Sequence, residues 1–161
     1  MKQRGVFWRQ LCFGVNPPNT LIRVGLWAVV ATFFFHHLLL PIQIVGSSMA
    51  PTYSSGSMNF INKLAYVHHP PSRGDIIALA TTDELLLKRI VALPGEKVQI
   101  ANGALKVNNK VVQDKFSNAF IPWKTKPITL RTNEYFVIGD NREISVFGPI
   151  RRDQIVGKIV F

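Results

Sequence analysis

An apolar segment near the N-terminus places the strongest constraint on how this chain can fold. Residues 24–40 contain no Asp, Glu, Lys or Arg. With the apolar residues on either side, the segment reaches roughly the 20 residues that a helix needs to cross the hydrocarbon core of a bilayer. We therefore predict a transmembrane anchor over residues 21–45, after a basic N-terminal segment of residues 1–20.

A cleavable signal peptide is the alternative interpretation of this segment. It would begin with basic residues, continue as an apolar run and end in small residues, and Ser48-Met49-Ala50 imitates a cleavage site. Two observations favour a retained anchor. The apolar run is longer than that of a typical signal peptide, and Pro51 would follow the cut directly.

The charges around the apolar segment predict its orientation. The basic residues of the first 45 all precede the apolar core, and no charged residue follows it before Lys63. The positive-inside rule then keeps the N-terminus cytoplasmic and sends the rest of the chain to the outer face of the membrane.

The net charge of +10 raises the question of nucleic-acid binding. The excess is spread along the chain, with +4 before residue 46 and +6 after it, and no basic stripe with interleaved aromatic residues is present. We therefore expect no nucleic-acid partner, and a solvated surface that can face the headgroups of a lipid bilayer. Because His36-His37 and His68-His69 are adjacent pairs without clustered carboxylates nearby, we expect no metal and no cofactor.

Beyond residue 46 the sequence favours β structure. Apolar and polar residues alternate on both sides of Asn102-Gly103, which is the strongest short signal for a β-hairpin. No window has a convincing helical period, and further strands are predicted at residues 57–64, 75–80, 135–138 and 155–161. The predicted fold class is mostly β: an antiparallel β domain of residues 46–161 preceded by one N-terminal transmembrane helix.

Three residues of this domain are candidates for chemistry. Ser48 lies in a Gly/Ser-rich turn, and Ser145 lies in a second turn downstream. Lys88 lies in the aliphatic segment 85–91, where burial among apolar side chains lowers the pKa of a lysine and makes a neutral amine available as a general base. The alternative for Lys88 is an amphipathic side chain whose stem packs and whose head reaches water.

Four segments, with the anchor just upstream, resemble type I signal peptidases, the membrane-anchored Ser-Lys endopeptidases that remove signal peptides from exported pre-proteins. Residues 46–52 (Gly-Ser-Ser-Met-Ala-Pro-Thr) resemble the family's nucleophile box, a Ser-Met followed by any residue and Pro-Thr. The other three, in the family's order, are the Gly-Asp strand start at 73–77, the general-base box at 88–96 and the start of the last box at 139–145. The resemblance implies a signal-peptidase-like β catalytic domain.

The resemblance also implies roles for the candidate residues. Ser48 would be the nucleophile, and Lys88 would be the base that takes its proton and later passes it to the leaving amine. Ser145 would hydrogen-bond the Lys88 amine and orient it. The backbone N–H of Ser48 would stabilise the oxyanion, and an ion pair between Arg89 and Asp140 would support the site.

The implied substrate is an extended segment that ends in small residues. It would add as a strand beside residues 43–45 and 85–87, so that its main chain supplies affinity and shallow apolar pockets supply specificity. The residues expected to line these pockets are Ile44, Val45, Met49, Leu86 and Leu87.

Two positions depart from the family pattern. Many relatives carry a serine two positions before the nucleophile as a second oxyanion donor, and Gly46 stands there in this chain. The family's last box continues through an Asp-Ser-Arg segment, whereas here Ser145-Val146 leads straight to Phe147. Arg142, a further residue expected to support the site, therefore loses its usual acidic partner.

Two other functions stay open at this point. One is a Ser-Lys autoprotease of the repressor-cleaving type, and the other is a membrane-anchored β module without catalytic activity. The family resemblance predicts pre-protein signal peptides as partners, and residues 139–142 favour a bacterial plasma membrane over the inner membrane of an organelle.

Overall fold

The computed structural model of the chain describes residues 17–82, 84–116 and 119–160. Most of the predicted basic segment, residues 1–16, lies outside the described residues, as does Phe161 at the end of the predicted last strand. The chain divides into two compact units between Leu39 and Leu40.

A single helix, α1 (Pro17–Leu38), makes up the described part of the first unit, apart from Leu39. Proline suits the first turn of a helix because its missing N–H would have no partner there. Apolar side chains are exposed along the helix, among them Leu21 at 75% and Phe33 at 66%. Among the residues that the structure describes, we find no helix with both the length and the apolar character needed to traverse a bilayer.

The helix ends earlier than the predicted anchor. Residues Leu39–Gln43, which the sequence assigned to the anchor, form strand β1. Pro41 accounts for this difference, because a proline disfavours helical backbone at the residue before it and cannot continue a helix. The last part of the predicted segment therefore belongs to the β structure.

Ten further strands follow β1. They are β2 (Met58–Asn62), β3 (Ile76–Ala80), β4 (Leu85–Ala92), β5 (Lys97–Ala101), β6 (Ala104–Val107), β7 (Lys110–Val111), β8 (Ile128–Thr129), β9 (Glu134–Ile138), β10 (Phe147–Arg151) and β11 (Ile155–Val160). A seven-stranded sheet has the order β1-β2-β11-β3-β4-β9-β10, and a four-stranded sheet has the order β7-β6-β5-β8. The pairings among β2 to β11 are antiparallel. The prediction of a mostly β, antiparallel domain is confirmed.

The hairpin predicted at Asn102-Gly103 is formed by β5 and β6. Its register pairs Val98 with Val107 and closes with Ala101 opposite Ala104. Asn102 and Gly103 have φ values of 55° and 74°, as the tight turns that match the twist of a hairpin require.

A shared core joins the two sheets. Val91 of β4 and Phe136 of β9 pack in one buried cluster with Ile100 of β5 and Leu105 of β6. Since β4 belongs to the larger sheet and β5 to the smaller one, this cluster packs the two sheets against each other at the face of β4 that carries Val91.

Strand β4 is paired differently on its two edges. Strand β3 pairs with it from Leu85 to Arg89, whereas β9 pairs with it only from Arg89 to Ala92. Because β9 ends at Ile138, opposite Arg89, the loop that follows β9 begins beside Lys88. Within the described residues, the β4 main chain from Leu85 to Leu87 has no strand partner on the β9 side.

Candidate active site

Ser48 lies in a turn that follows β1 and is held by the loop after β9. The Ser48 carbonyl oxygen accepts a hydrogen bond of 3.0 Å from the backbone N–H of Asn141. The side-chain amide of Asn141 donates to the carbonyl oxygen of Ser47 at 3.3 Å. In the described part of the chain the Ser48 N–H makes no hydrogen bond of its own, so this donor is available to a ligand.

Lys88 projects from β4 toward this turn. Its Nζ lies 3.1 Å from the Oγ of Ser48, within hydrogen-bond distance, and the residue is only 4% exposed. Burial lowers the pKa of the Lys88 amine, and the negative charge of Glu84 opposes that shift in part. The geometry therefore joins a serine hydroxyl to an amine that gives up its proton more readily than an exposed lysine does.

Ser145 is also buried, and in the described residues its side chain makes no hydrogen bond to Lys88. Its hydroxyl accepts a hydrogen bond of 2.6 Å from the N–H of Gly139 and donates one of 3.0 Å to the carbonyl oxygen of Val146. The hydrogen bond from Ser145 to the Lys88 amine that the resemblance implied is absent from the described residues, because the loop main chain satisfies the hydroxyl instead.

Arg89 and Asp140 form a bidentate ion pair behind the Ser48–Lys88 pair. Arg89 Nε and Nη2 lie 2.7 and 2.6 Å from the two carboxylate oxygens of Asp140, whose side chain is fully buried. The hydroxyl of Thr52 donates to the same carboxylate at 2.5 Å. The turn of Ser48, strand β4 and the loop after β9 are thus tied together at one carboxylate.

Arg142 has an acidic partner that the sequence did not reveal. Its guanidinium lies 2.6 Å from the carboxylate of Asp114, in the segment after β7, and its side chain is 2% exposed. The usual partner after Ser145 is absent from the sequence, and Asp114 takes its place in the ion pair. The acid comes from 28 residues upstream, a separation at which no local sequence pattern links two side chains.

An apolar groove runs from Ser48 along β4. It has a volume of about 370 Å³ and lies between residues 42–49 and residues 84–87. All five residues predicted to line the substrate pockets lie on it: Ile44, Val45, Met49, Leu86 and Leu87. The unpaired stretch of β4 described above forms one wall of this groove.

Comparisons with known proteins identify the family of this chain. A family model described as signal peptidase, peptidase S26, matches residues 19–161. The probable signal peptidase I-2 of Synechocystis sp. is 29% identical over 162 aligned positions, which cover 88% of this chain and 72% of the relative. Signal peptidase IB of Staphylococcus aureus is 28% identical over 164 positions, which cover 88% of this chain and 86% of the relative.

A solved structure, the signal peptidase I of Enterococcus faecalis V583, aligns with a TM-score of 0.48 at 24% identity and covers 56% of this chain and 97% of its own. The match of the family model over nearly the whole chain confirms the resemblance to type I signal peptidases that the four sequence segments carry. The chain belongs to the signal peptidase family, peptidase S26.

Proposed function

We propose that this chain is a serine endopeptidase of the signal peptidase I type, which cleaves N-terminal signal peptides from exported pre-proteins with Ser48 as nucleophile and Lys88 as general base. The observation that carries the proposal is the 3.1 Å contact between Lys88 Nζ and Ser48 Oγ in a site that buries the amine. Ser-Lys pairs are one of the arrangements that activate a serine for acyl transfer.

The chemical steps follow from this contact. Neutral Lys88 takes the proton of the Ser48 hydroxyl while Oγ attacks the scissile carbonyl carbon. The free N–H of Ser48 donates to the oxyanion that forms. The intermediate collapses to an acyl-enzyme when the Lys88 ammonium protonates the leaving amine. A water molecule, deprotonated by Lys88, then hydrolyses the ester and restores Ser48.

The groove suits an extended substrate segment that precedes the cut. Its main chain would pair with the open edge of β4 at residues 85–87, as added strands do in other peptide-binding sheets. Buried Met49 and half-buried Leu86 restrict the space next to Ser48. Small side chains next to the scissile bond follow from this restriction.

Membrane anchoring is a second part of the proposal. The apolar side chains exposed along α1 need a non-aqueous environment, since contiguous apolar surface of this size is unfavourable in water. We place the N-terminus in the cytoplasm and the β domain on the outer face of a bacterial plasma membrane, as the distribution of basic residues predicts.

The decisive experiment is cleavage of a pre-protein by the full chain in detergent. Ser48→Ala and Lys88→Ala are expected to reduce kcat by at least about a thousandfold. Lys88→Arg is expected to be as inactive, because a guanidinium stays protonated and cannot act as a base. Ser47→Ala is the matched control, since it removes a neighbouring exposed hydroxyl. Cleavage that survives without Ser48 would sink the enzyme proposal and favour a non-catalytic module.

The pH dependence of kcat/KM tests the base. Because burial lowers the pKa of Lys88, activity should hold at mildly alkaline pH and fall tenfold per pH unit once the pH drops below that pKa. A profile controlled by a group that titrates near pH 4 would exclude a lysine base.

Fractionation tests the anchor. The chain should stay with membranes after an alkaline carbonate wash, whereas a variant lacking residues 1–38 should be released. Release of the full chain by the wash would rule out an anchor and make the autoprotease alternative the better one.

A further inference from the structure

The segment after β7 makes contacts that the signal peptidase motifs do not account for. Asp114 pairs with Arg142 at 2.6 Å, and the ring of Phe116 lies under two guanidiniums, 5.5 Å from that of Arg89 and 5.7 Å from that of Arg142. The backbone N–H of Phe116 donates to the other carboxylate oxygen of Asp114 at 2.9 Å. We refer to Asp114 and Phe116 together as the clasp.

The clasp touches two of the segments that build the site. Arg89 follows Lys88 in β4, and Arg142 lies in the loop whose other residues hold the Ser48 turn. Phe116 is the link between the two, because its ring faces both cations at distances where cation–π attraction acts. The positive charges of Arg89 and Arg142 repel each other when they lie close together. The Phe116 ring and the carboxylates of Asp114 and Asp140 offset that repulsion.

Burial makes Arg142 dependent on the clasp. Its side chain is 2% exposed, and its Nε has no hydrogen-bond partner among the described residues. Asp114 is therefore the carboxylate that neutralises a cation which water cannot reach. A buried charge that loses its partner is strongly unfavourable, so the loop would move to hydrate Arg142 if Asp114 were absent.

Movement of that loop would reach the reacting atoms directly. Asn141, next to Arg142, donates to the carbonyl oxygen of Ser48, and Gly139 in the same loop packs against this carbonyl group and the Ser145 hydroxyl. A shift of about 1 Å at Ser48 is enough to lower catalysis by roughly two orders of magnitude.

We propose that Asp114 and Phe116 are positioning residues, which hold the loop of residues 139–145 against β4 and so keep the Ser48 hydroxyl in line with Lys88. They do the work of the acid that is missing after Ser145 in this chain. The proposal rests on the proposed peptidase function for its catalytic consequence, but the restraint on the loop is a property of the fold alone.

The test compares Asp114→Asn and Phe116→Leu with Lys115→Ala, an exposed neighbour that serves as the matched control. In the full-length chain in detergent, each clasp variant is expected to lower kcat by about tenfold to a hundredfold. KM should change by less than about twofold, because neither Asp114 nor Phe116 lines the groove. The acidic limb of kcat should move to higher pH, since a loosened loop admits water to Lys88.

Amide hydrogen exchange, followed by mass spectrometry, provides a readout that needs no catalysis. Residues 139–145 and 47–52 should exchange faster in the clasp variants than in wild type or Lys115→Ala, while the β5–β6 hairpin should be unchanged. Should the wild type show no Ser48-dependent cleavage, the peptidase proposal fails, and this local exchange pattern still decides for or against the clasp.

Two results would overturn the proposal. One is wild-type kcat and wild-type exchange in both clasp variants. The other is a loss of activity that matches the loss of folded protein, with exchange raised equally over the whole β domain, because that pattern describes a general loss of stability rather than a restraint on one loop.

Discussion

The burial that makes the Lys88 amine reactive also lowers the stability of the folded chain. In the unfolded chain its pKa has the ordinary value of 10.5, and burial lowers it in the folded chain. At a pH below the folded-state pKa, the folded protein buries a charged ammonium group, and the full desolvation cost of that charge is subtracted from the free energy of unfolding. This cost declines as the pH rises from the folded-state pKa toward 10.5, because over that window the unfolded chain binds one more proton than the folded chain.

Lys88→Met should therefore abolish cleavage and stabilise the fold. At neutral pH we expect a gain of about 1 kcal/mol in the free energy of unfolding, since a flexible apolar side chain of similar length removes the desolvation cost. Urea unfolding of both proteins at several pH values measures this difference in the free energy of unfolding. The difference should shrink toward pH 10. A Met variant less stable than wild type at pH 7 would show that the amine is well solvated.

Gly139 is a glycine because two groups of the site approach it. A Cβ built at this position would overlap the carbonyl oxygen of Ser48 and the Oγ of Ser145. Gly139→Ala should push the Ser48 turn away from Lys88 and lower kcat by about a hundredfold. A peptide cleavage assay measures this loss of kcat, and a parallel thermal melt shows whether the variant is folded. Wild-type kcat in the alanine variant would mean that the Ser48 turn can shift while Ser48 Oγ stays within reach of Lys88 Nζ.

Single residues were predictable from sequence where a motif contained them. Ser48, Lys88 and Asp140 were assigned through the family resemblance; in the structure Lys88 contacts Ser48, and Asp140 pairs with Arg89, the neighbour of Lys88. Asp114 and Phe116 were not, since they lie outside every motif and reach the site only through the folded path of the chain. The aliphatic composition of residues 85–91 predicted the apolar surroundings of Lys88, but it could not show which hydroxyl would face the amine.

Strand β11 depends on a glycine for its close packing. It lies between β2 and β3, and Gly157 follows an irregularity in its register with β3. A Cβ on Gly157 would overlap the backbone carbonyl of Asn62 in the neighbouring strand and come within 2.7 Å of the Ile61 side chain. Backbone atoms of a central strand cannot give way as the end of a flexible side chain can.

Gly157→Ala should accordingly destabilise the β domain by about 2 kcal/mol, in the range observed for overpacked cores. Gly148→Ala in the edge strand β10 is the matched control, because a Cβ there meets nothing within 4 Å. Chemical denaturation of both variants measures the effect. Equal stabilities would show that β11 can shift relative to β2.

Elements were predictable where local chemistry was strong. The β5–β6 hairpin followed from alternation around Asn102-Gly103, and its register is the one that such a turn favours. Strand β10 was missed because Gly148-Pro149 is typical of a turn, yet an edge strand tolerates a proline whose missing N–H would face away from the sheet. Strand β1 was missed because its apolar residues continue the composition of the helix before it.

A second carboxylate, outside the Ser48–Lys88 and Arg89–Asp140 pairs, connects three parts of the β domain. Asp75, before β3, lies 2.7 Å from Lys158 of β11 and accepts hydrogen bonds from the Ser72 N–H and the Tyr66 hydroxyl, each at 3.0 Å. Burial by itself would raise the pKa of Asp75. The three partners more than compensate and hold that pKa below its ordinary value of 3.8.

Asp75 should thus contribute stability above pH 3.8 that is lost as the pH falls through its folded pKa. Asp75→Asn is expected to reduce the free energy of unfolding at pH 7 by about 1–2 kcal/mol, the value of charge-assisted hydrogen bonds. The two proteins should converge in strong acid. Acid titration followed by circular dichroism measures this, and a constant difference at all pH values would assign the effect to packing rather than to the charge.

The short open edge of β4 also sets a condition on the segments that can bind there. Among the described residues, Leu85 to Leu87 lack a strand partner on the β9 side, so a segment that pairs with them must present its own amides and carbonyls free. A stretch already coiled into a helix or engaged in another sheet has none to offer. The conformation of a segment would then decide whether it binds before its side chains do. A segment with small side chains would be spared inside a folded protein and would be bound in a nascent, unstructured chain.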